Sequence, residues 1–303
     1  MPPDPRIRRT ISPSALVHHN QGFLRSLRRK RPETRGTYER ALREFLRWTR
    51  RRGKFAFTPR EVERYKRHLT RRLSPVSVST YLTALRRLCE YLVRCGLIAD
   101  NPARGVGGNS RPRSHSREAL LPADVDALLA AIVAPDERGK RDFAFVKLML
   151  GCALSEIEIV RADVADLASI EGAMYLRVQG KGRLRKDQSV RFPDDVRRSV
   201  ENYLALRGNL SARDPLFTSA GNRTRGKRMT TRGVRDRVTL YLEQSGVKKG
   251  KDRRVTPYSL RHTAARMMAG SGATADEIRV RMRLGSVTTA QLYMKSDAGP
   301  SGE

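Results

Sequence analysis

The 303 residues carry 62 Lys and Arg against 31 Asp and Glu, a formal charge of +31, with 39% hydrophobic residues and three cysteines. A disordered basic tail would be poorer in Leu, Val and Tyr. Cys89, Cys95 and Cys152 lack paired spacing, which excludes a disulfide framework and a thiolate metal site, so they read as packed small hydrophobes in a reducing interior.

The longest apolar stretch, Phe143 to Leu154, is interrupted by Lys147 and is too short to span a bilayer, and the N-terminus has no apolar signal core. The expectation is a soluble cytoplasmic protein, without membrane, metal or cofactor. Both halves are basic, with +21 of the charge in the first 117 residues. A polyanion is the expected partner, since phosphates that release counterions when neutralised compensate such self-repulsion. The length predicts two domains.

Residues 1–15 read as a flexible N-terminus and 16–102 as a four-helix domain. A helix is expected around Leu16 to Arg29. Tyr38, Ala41, Leu42, Phe45 and Leu46 then recur at helical spacing on an Arg-rich segment. Thr58-Pro59-Arg60-Glu61 combines a capping box with Pro at the first helical position, opening a helix with Val62, Tyr65 and Leu69 inward. Ser74-Pro75 opens another, with Val78, Tyr81, Leu82, Leu85, Leu88 and Leu92 on one side and arginines, Arg86 and Arg87 among them, elsewhere. The apolar stripes are expected to pack on each other and leave the arginines outside, with Arg86 and Arg87 as candidate contacts to the polyanion. Residues 103–117, rich in Gly, Ser, Pro and Arg and containing Arg111 and Arg113, read as a basic linker.

The second block, residues 118–296, opens with a helix carrying Val125, Leu128, Leu129 and Ile132. Met174, Leu176 and Val178, then Val190 and Phe192, flank a Gly180-Lys181-Gly182 centre in the pattern of a β-hairpin. Thr256-Pro257 looks like a helix start, Thr274 to Glu277 like a capping box, and Thr288 begins a last short helix containing Tyr293. Residues 297–303 form a tail. The fold class is mainly α with a small β-sheet (α+β).

Four segments in this order resemble the tyrosine recombinase (phage integrase) family: GCALSEIEIVRADVADL from Gly151, QGKGRLRK from Gln179, TPYSLRHTAA from Thr256 and RLGSVTTAQLYMK from Arg283. The helical first block resembles that family's SAM-like core-binding domain. The resemblance implies a C-shaped clamp on double-stranded DNA, cleavage and rejoining through a 3′-phosphotyrosine at Tyr293, and four protomers acting on two DNA sites. Arg261 would grip the scissile phosphate with paired guanidinium N–H groups. Lys181, at the hairpin tip, would protonate the leaving 5′-oxygen, with Lys186 or Arg183 as substitutes; Arg183 is also a candidate DNA contact.

Three positions depart from the family pattern. Aligned through Leu154-Ser155-Glu156, the family's first catalytic Arg falls on Ala153, which cannot bind phosphate, and Arg161 is a long reach away. Loss of activity, deliberate or natural, is favoured over compensation. Tyr258 stands where the family most often has His, and the later His or Trp position falls on Leu284 or, with a gap, Ser286. His262 reads as a structural neighbour of Arg261. The expected activity is site-specific recombination serving a mobile element by integration or excision. The alternatives are a non-catalytic DNA-binding accessory protein with a degenerate recombinase fold and, from charge alone, a general nucleic-acid packaging protein.

Overall fold

The computed structural model describes residues 10–30, 32–53, 55–108, 118–180, 183–221, 224–248 and 254–294. The chain divides into two compact units, residues 1–111 and 112–303.

In the first unit a two-residue strand β1 (Thr10–Ile11) pairs antiparallel with β2 (Phe55–Ala56), and the described residues form the helices α1 (Pro13–Ser26), α2 (Pro32–Arg52), α3 (Pro59–Thr70) and α4 (Pro75–Arg94). Three of these helices begin with Pro preceded by a capping hydroxyl: Ser12 Oγ accepts from Ala15 N at 3.3 Å, Thr58 from Glu61 N at 3.3 Å, and Ser74 from Ser77 N at 3.4 Å. Each cap satisfies an amide that the helix itself leaves without a partner, and Pro has none to lose there. The stripes read from the sequence converge, with Leu42, Phe45, Val62, Tyr65, Leu69, Leu82, Leu85 and Leu88 all buried. Side chains of this size stabilise the core by about 1.5–3 kcal/mol each. Phe55, from β2, stands edge-on to Phe45 at 4.9 Å, so the tiny sheet closes the aromatic end of the core. Strands of two residues have no period for a sequence pattern to show. Ala103 and Val106, inside the stretch read as a linker, are buried in this same core.

The second unit contains α5 (Pro122–Ala130), α6 (Glu137–Gly151), α7 (Glu156–Arg161), β3 (Leu167–Ile170), β4 (Ala173–Val178), β5 (Gln188–Arg191), α8 (Asp194–Leu204), α9 (Thr231–Gln244), α10 (Pro257–Gly270), α11 (Ala275–Arg281) and α12 (Val287–Met294). The sheet is antiparallel in the order β3-β4-β5, with Leu176 opposite both Leu167 and Val190. The expected hairpin is therefore β4–β5. The sequence pattern missed β3, which joins β4 through Glu171-Gly172, both at positive φ (+49° and +75°) as a two-residue hairpin turn requires.

Phe145, Leu148 and Met149 of α6, Val196, Val200 and Tyr203 of α8, and Val234, Val238 and Leu242 of α9 form the main core. A separate small cluster joins α10, α11 and α12: Ala264, Ala265, Ile278, Met282, Ala290 and Tyr293 pack with Ala153. Its alanines let three short elements approach closely around one phenol. Among the described residues no helix is long and apolar enough to cross a membrane, and no group of His, Cys, Asp or Glu is placed to hold a metal ion.

Candidate active site

Glu158 is the hub. Ser155 caps α7, and both its backbone N (2.8 Å) and its Oγ (2.7 Å) donate to Glu158 Oε2. This capping box locks the carboxylate side chain back over the start of the helix, where it is 2% exposed. Two arginines from distant elements reach it there. Arg261 Nη1 donates to Oε2 at 3.0 Å, while Arg283 donates from Nε to Oε1 at 2.5 Å and from Nη2 to Oε2 at 3.1 Å. Burial alone raises a carboxyl's pKa, but the hydrogen bonds and charge of Arg283, the charge of Arg261 and the Ser155 amide together outweigh it, holding Glu158 at about 2.

Both guanidiniums also share a second acceptor, the carbonyl oxygen of Ala153, at 2.5 Å from Arg261 Nη1 and 2.8 Å from Arg283 Nη2. Ala153 is itself fully buried and lies at φ +50°, a left-handed conformation that turns its carbonyl toward the arginines. What position 153 offers the site is this backbone oxygen, while its methyl group packs in the α10–α12 cluster. Arg261, the fifth residue of α10 and 8% exposed, additionally donates from Nη2 to the carbonyl of Met282, which ends α11. Two carbonyls that anchor Arg261 thus belong to residues of the cluster that surrounds Tyr293.

Tyr293 is 1% exposed. Its hydroxyl lies 2.6 Å from that of Tyr258, and its ring meets the buried His262 edge-on with centroids 5.1 Å apart. Tyr258, Arg261 and His262 share the first two turns of α10, so one helix presents a phenol, a guanidinium and an imidazole toward the end of the chain. Leu284 packs against the cluster, and Ser286 Oγ accepts from Thr289 N at 3.3 Å as the cap of α12. Neither contributes a titratable group near Tyr293.

Lys181 lies outside the described residues, as do Arg111 and Arg113. The residue before Lys181 is placed: a Cβ built on Gly180 would stand 3.8 Å from Glu158 Oε1, so the end of β4 comes up against the carboxylate. Arg161 Nη1 holds this approach by donating to the carbonyl oxygens of Gly180 (3.3 Å) and Gln179 (3.5 Å). Lys186 is paired instead with Asp163, at 2.6 Å, and Asp166, and Arg183 with Asp187 at 3.1 Å.

In the first unit Arg86 is committed inside the fold, donating to the carbonyls of Ala103 and Val106 at 3.1 Å each, whereas Arg87 is exposed and paired with Glu90 at 2.8 Å. Sequence reasoning overlooked Glu158 and Arg283. The Ser155-x-x-Glu158 spacing is a readable capping box at the head of a helix that carries Ile157, Ile159 and Val160. Nothing local marks Arg283, which lies at φ +57° just beyond α11.

Chemically, Glu158, Arg261 and Arg283 form a buried cluster with a net charge of +1, and Ala153, whose carbonyl the two arginines share, belongs to the same apolar cluster as the Tyr293 phenol. Such a cluster favours an anion, and among its described hydrogen bonds Arg261 keeps its Nε–H and one Nη2–H for that purpose.

Residues 118–299 match the profile of the phage integrase family, and residues 21–96 that of the phage integrase N-terminal SAM-like domain. The tyrosine recombinase XerC of Vibrio cholerae serotype O1 (strain M66-2) is 30% identical over 223 residues, 73% of this chain and 67% of its own length. XerC of Pelobacter propionicus is 29% identical over 272 residues, 86% of this chain and 84% of that protein. Among solved structures, XerH site-specific recombinase bound to a palindromic difH substrate aligns with TM-score 0.72 at 16% identity, over 95% of this chain and 82% of XerH. A lambda integrase dimer bound to a COC′ core site aligns with TM-score 0.71 at 13% identity, over 97% of this chain and 80% of that chain. At these identities the structural likeness shows the fold. With the family profile running through every residue of the site, the chain belongs to the phage integrase family and is a tyrosine recombinase.

Proposed function

We propose that Tyr293 is the nucleophile of a site-specific strand exchange and that Arg261 holds the scissile phosphate. The packing of Tyr293 into the same cluster whose carbonyls anchor Arg261 carries this reading. A phenol with a pKa of about 10 is a poor nucleophile unless the phosphorus is already polarised by cations. Its Oη–P bond forms as the P–O5′ bond breaks. The phenolic proton departs to solvent by way of the Tyr258 hydroxyl, and Lys181 protonates the leaving oxygen. The ester is exchanged and not hydrolysed, so no metal or nucleotide enters the balance. Because Tyr293 is buried, α12 must swing outward before attack.

The same reading takes double-stranded DNA as the partner, with protomers assembling as a tetramer on two sites, and places the protein in the integration or excision of a mobile element. A second reading, DNA binding without cleavage, is favoured by the missing cation at Ala153 and the burial of Tyr293. Protection of genomic fragments that flank the gene would locate the DNA site. A duplex nicked next to the cleavage position then traps any covalent intermediate. The expected result is a protein–DNA adduct that Tyr293→Phe abolishes. No adduct from the unsubstituted chain leaves the binding-only reading, and an adduct that persists in Tyr293→Phe moves the nucleophile elsewhere.

A further inference from the structure

We propose that Arg283 is a positioning residue whose charge neutralises Glu158 and so leaves the charge of Arg261 available to the scissile phosphate. This rests on the reading of Arg261 given above.

Three observations carry it. First, Glu158 makes its shortest arginine contact with Arg283, at 2.5 Å, and meets Arg261 at 3.0 Å through a single nitrogen. With Arg261 alone, Glu158 would form a neutral buried pair, and a neutral pair attracts a phosphate weakly. With Arg283 present the cluster keeps one unit of positive charge, worth most where water is excluded.

Second, the donors of Arg283 are directed at protein. Nε and Nη2 reach Glu158, Nη2 reaches the Ala153 carbonyl at 2.8 Å, and Nη1 reaches the Arg281 carbonyl at 2.6 Å. Its side chain is 4% exposed. A guanidinium so occupied acts through its neighbours, whereas Arg261 retains two donors among its hydrogen bonds to the described residues.

Third, Arg283 holds φ +57°, a conformation that is costly for a residue with a Cβ and almost free for glycine. Glycine would end α11 more stably. The arginine is explained by where its side chain goes, across to α7, and strain of this kind concentrates at functional sites.

The test is single-turnover cleavage of the nicked duplex, with DNA affinity and thermal unfolding measured on the same proteins. Arg283→Gly relieves the backbone strain while removing the charge. Its cleavage rate is expected to fall about 10²-fold with DNA affinity changed less than about twofold. The decisive arm is Arg283→Gly combined with Glu158→Gln. Removing the carboxylate frees Arg261 again, so the double variant is expected to cleave about tenfold faster than Arg283→Gly alone. A purely structural role predicts instead that the double variant is slower still, and that result overturns the proposal. Arg283→Lys keeps the charge but not the fork, and is expected to retain activity within about tenfold of the unsubstituted chain while tightening no DNA contact. Wild-type rates for both Arg283→Gly and Arg283→Lys also overturn it, without touching the reading of Tyr293. The absence of any adduct from the unsubstituted chain overturns both.

Discussion

Two buried carboxylates in the second unit each hold two arginines, yet only one of the two clusters bears the marks of a reaction site. Asp142, in the middle of α6, accepts from Arg141 Nε and Nη2 at 2.8 and 2.6 Å, from Arg237 Nε at 2.6 Å and from the Tyr241 hydroxyl at 2.8 Å. Arg141 goes on to the Thr218 carbonyl at 2.7 Å, and the Arg237 guanidinium lies 4.9 Å from the centre of the Tyr241 ring. Burial and the charge of Asp142 push the Tyr241 hydroxyl up to about 12. This network stitches α6 to α9 through regular helix. Glu158, in contrast, gathers its arginines from α10 and from beyond α11. Two residues at positive φ that are not glycine, Ala153 and Arg283, surround it, and its partner Arg261 shares α10 with Tyr258, whose hydroxyl meets that of Tyr293. Buried ion clusters alone are therefore a poor guide to chemistry. Backbone strain and an adjacent phenol, the proposed nucleophile, separate the cluster proposed to work on DNA from the stitching one.

Neutralising each carboxylate is the strongest way to break this contrast. Asp142→Asn and Glu158→Gln each leave two guanidiniums short of their counter-charge, and each is expected to cost about 3–5 kcal/mol in urea unfolding. Their effects on cleavage should part company. The folded fraction of Asp142→Asn should cleave within about twofold of the unsubstituted rate, while Glu158→Gln should slow cleavage about tenfold because Arg261 and Arg283 lose their shared anchor. Equal losses of cleavage would erase the distinction.

Acid sharpens it next. Glu158 titrates near 2 in the fold against a reference of 4.5. A depressed carboxylate contributes stability that is complete above the reference value and disappears as pH falls through the folded one. The stability due to Glu158 should therefore erode between pH ~4.5 and ~2, amounting to roughly 3 kcal/mol from the size of the shift. Urea unfolding across that range should be flatter in Glu158→Gln by this amount. An unchanged slope would mean that the carboxylate is not held by its arginines.

The backbone of the site gives a smaller effect. Ala153→Gly removes the Cβ that resists φ +50°, and a stabilisation of about 1 kcal/mol is expected, with cleavage unaffected, since the carbonyl stays in place. A destabilised Ala153→Gly would show that the methyl's packing against Tyr293 outweighs the strain.

The difference between the two clusters also explains what the sequence could reveal. Helices such as α3 and α4 were legible because Thr58-Pro59 and Ser74-Pro75 are local signals and their apolar stripes repeat at helical spacing. Tyr258, Arg261 and Tyr293 were legible as candidates because they stand in segments with a recognisable order. Arg283 was not, since it reaches Glu158 only through a left-handed turn that sends its side chain across to another helix. Position 153 offers no side chain that could bind phosphate, and its contribution, a carbonyl shared by two arginines, depends on backbone geometry that no motif displays. Lys186, offered as a stand-in for Lys181, is engaged with Asp163 and Asp166, carboxylates from the segment before β3 whose proximity no spacing announces. Arg86 and Arg87 are neighbours in sequence with opposite fates for an equally simple reason: successive helical residues point about 100° apart.

That last pair supplies the finest probe. Arg87 is 60% exposed in its side chain and its ion pair with Glu90, at 2.8 Å, is of the helical i, i+3 kind, so Arg87→Ala should change stability by no more than about 0.5 kcal/mol. If it meets a phosphate, the slope of log affinity against log salt should flatten by about 0.9, the value for one released counterion equivalent. The loss should be the same for every DNA sequence, because a phosphate contact carries no base information. Arg86 cannot serve as the comparison for DNA binding, since its removal abandons the carbonyls of Ala103 and Val106 and disturbs the core they close. A salt slope unmoved by Arg87→Ala would shift the search for phosphate contacts in the first unit to the arginines of α2, whose last turn carries Arg50, Arg51 and Arg52.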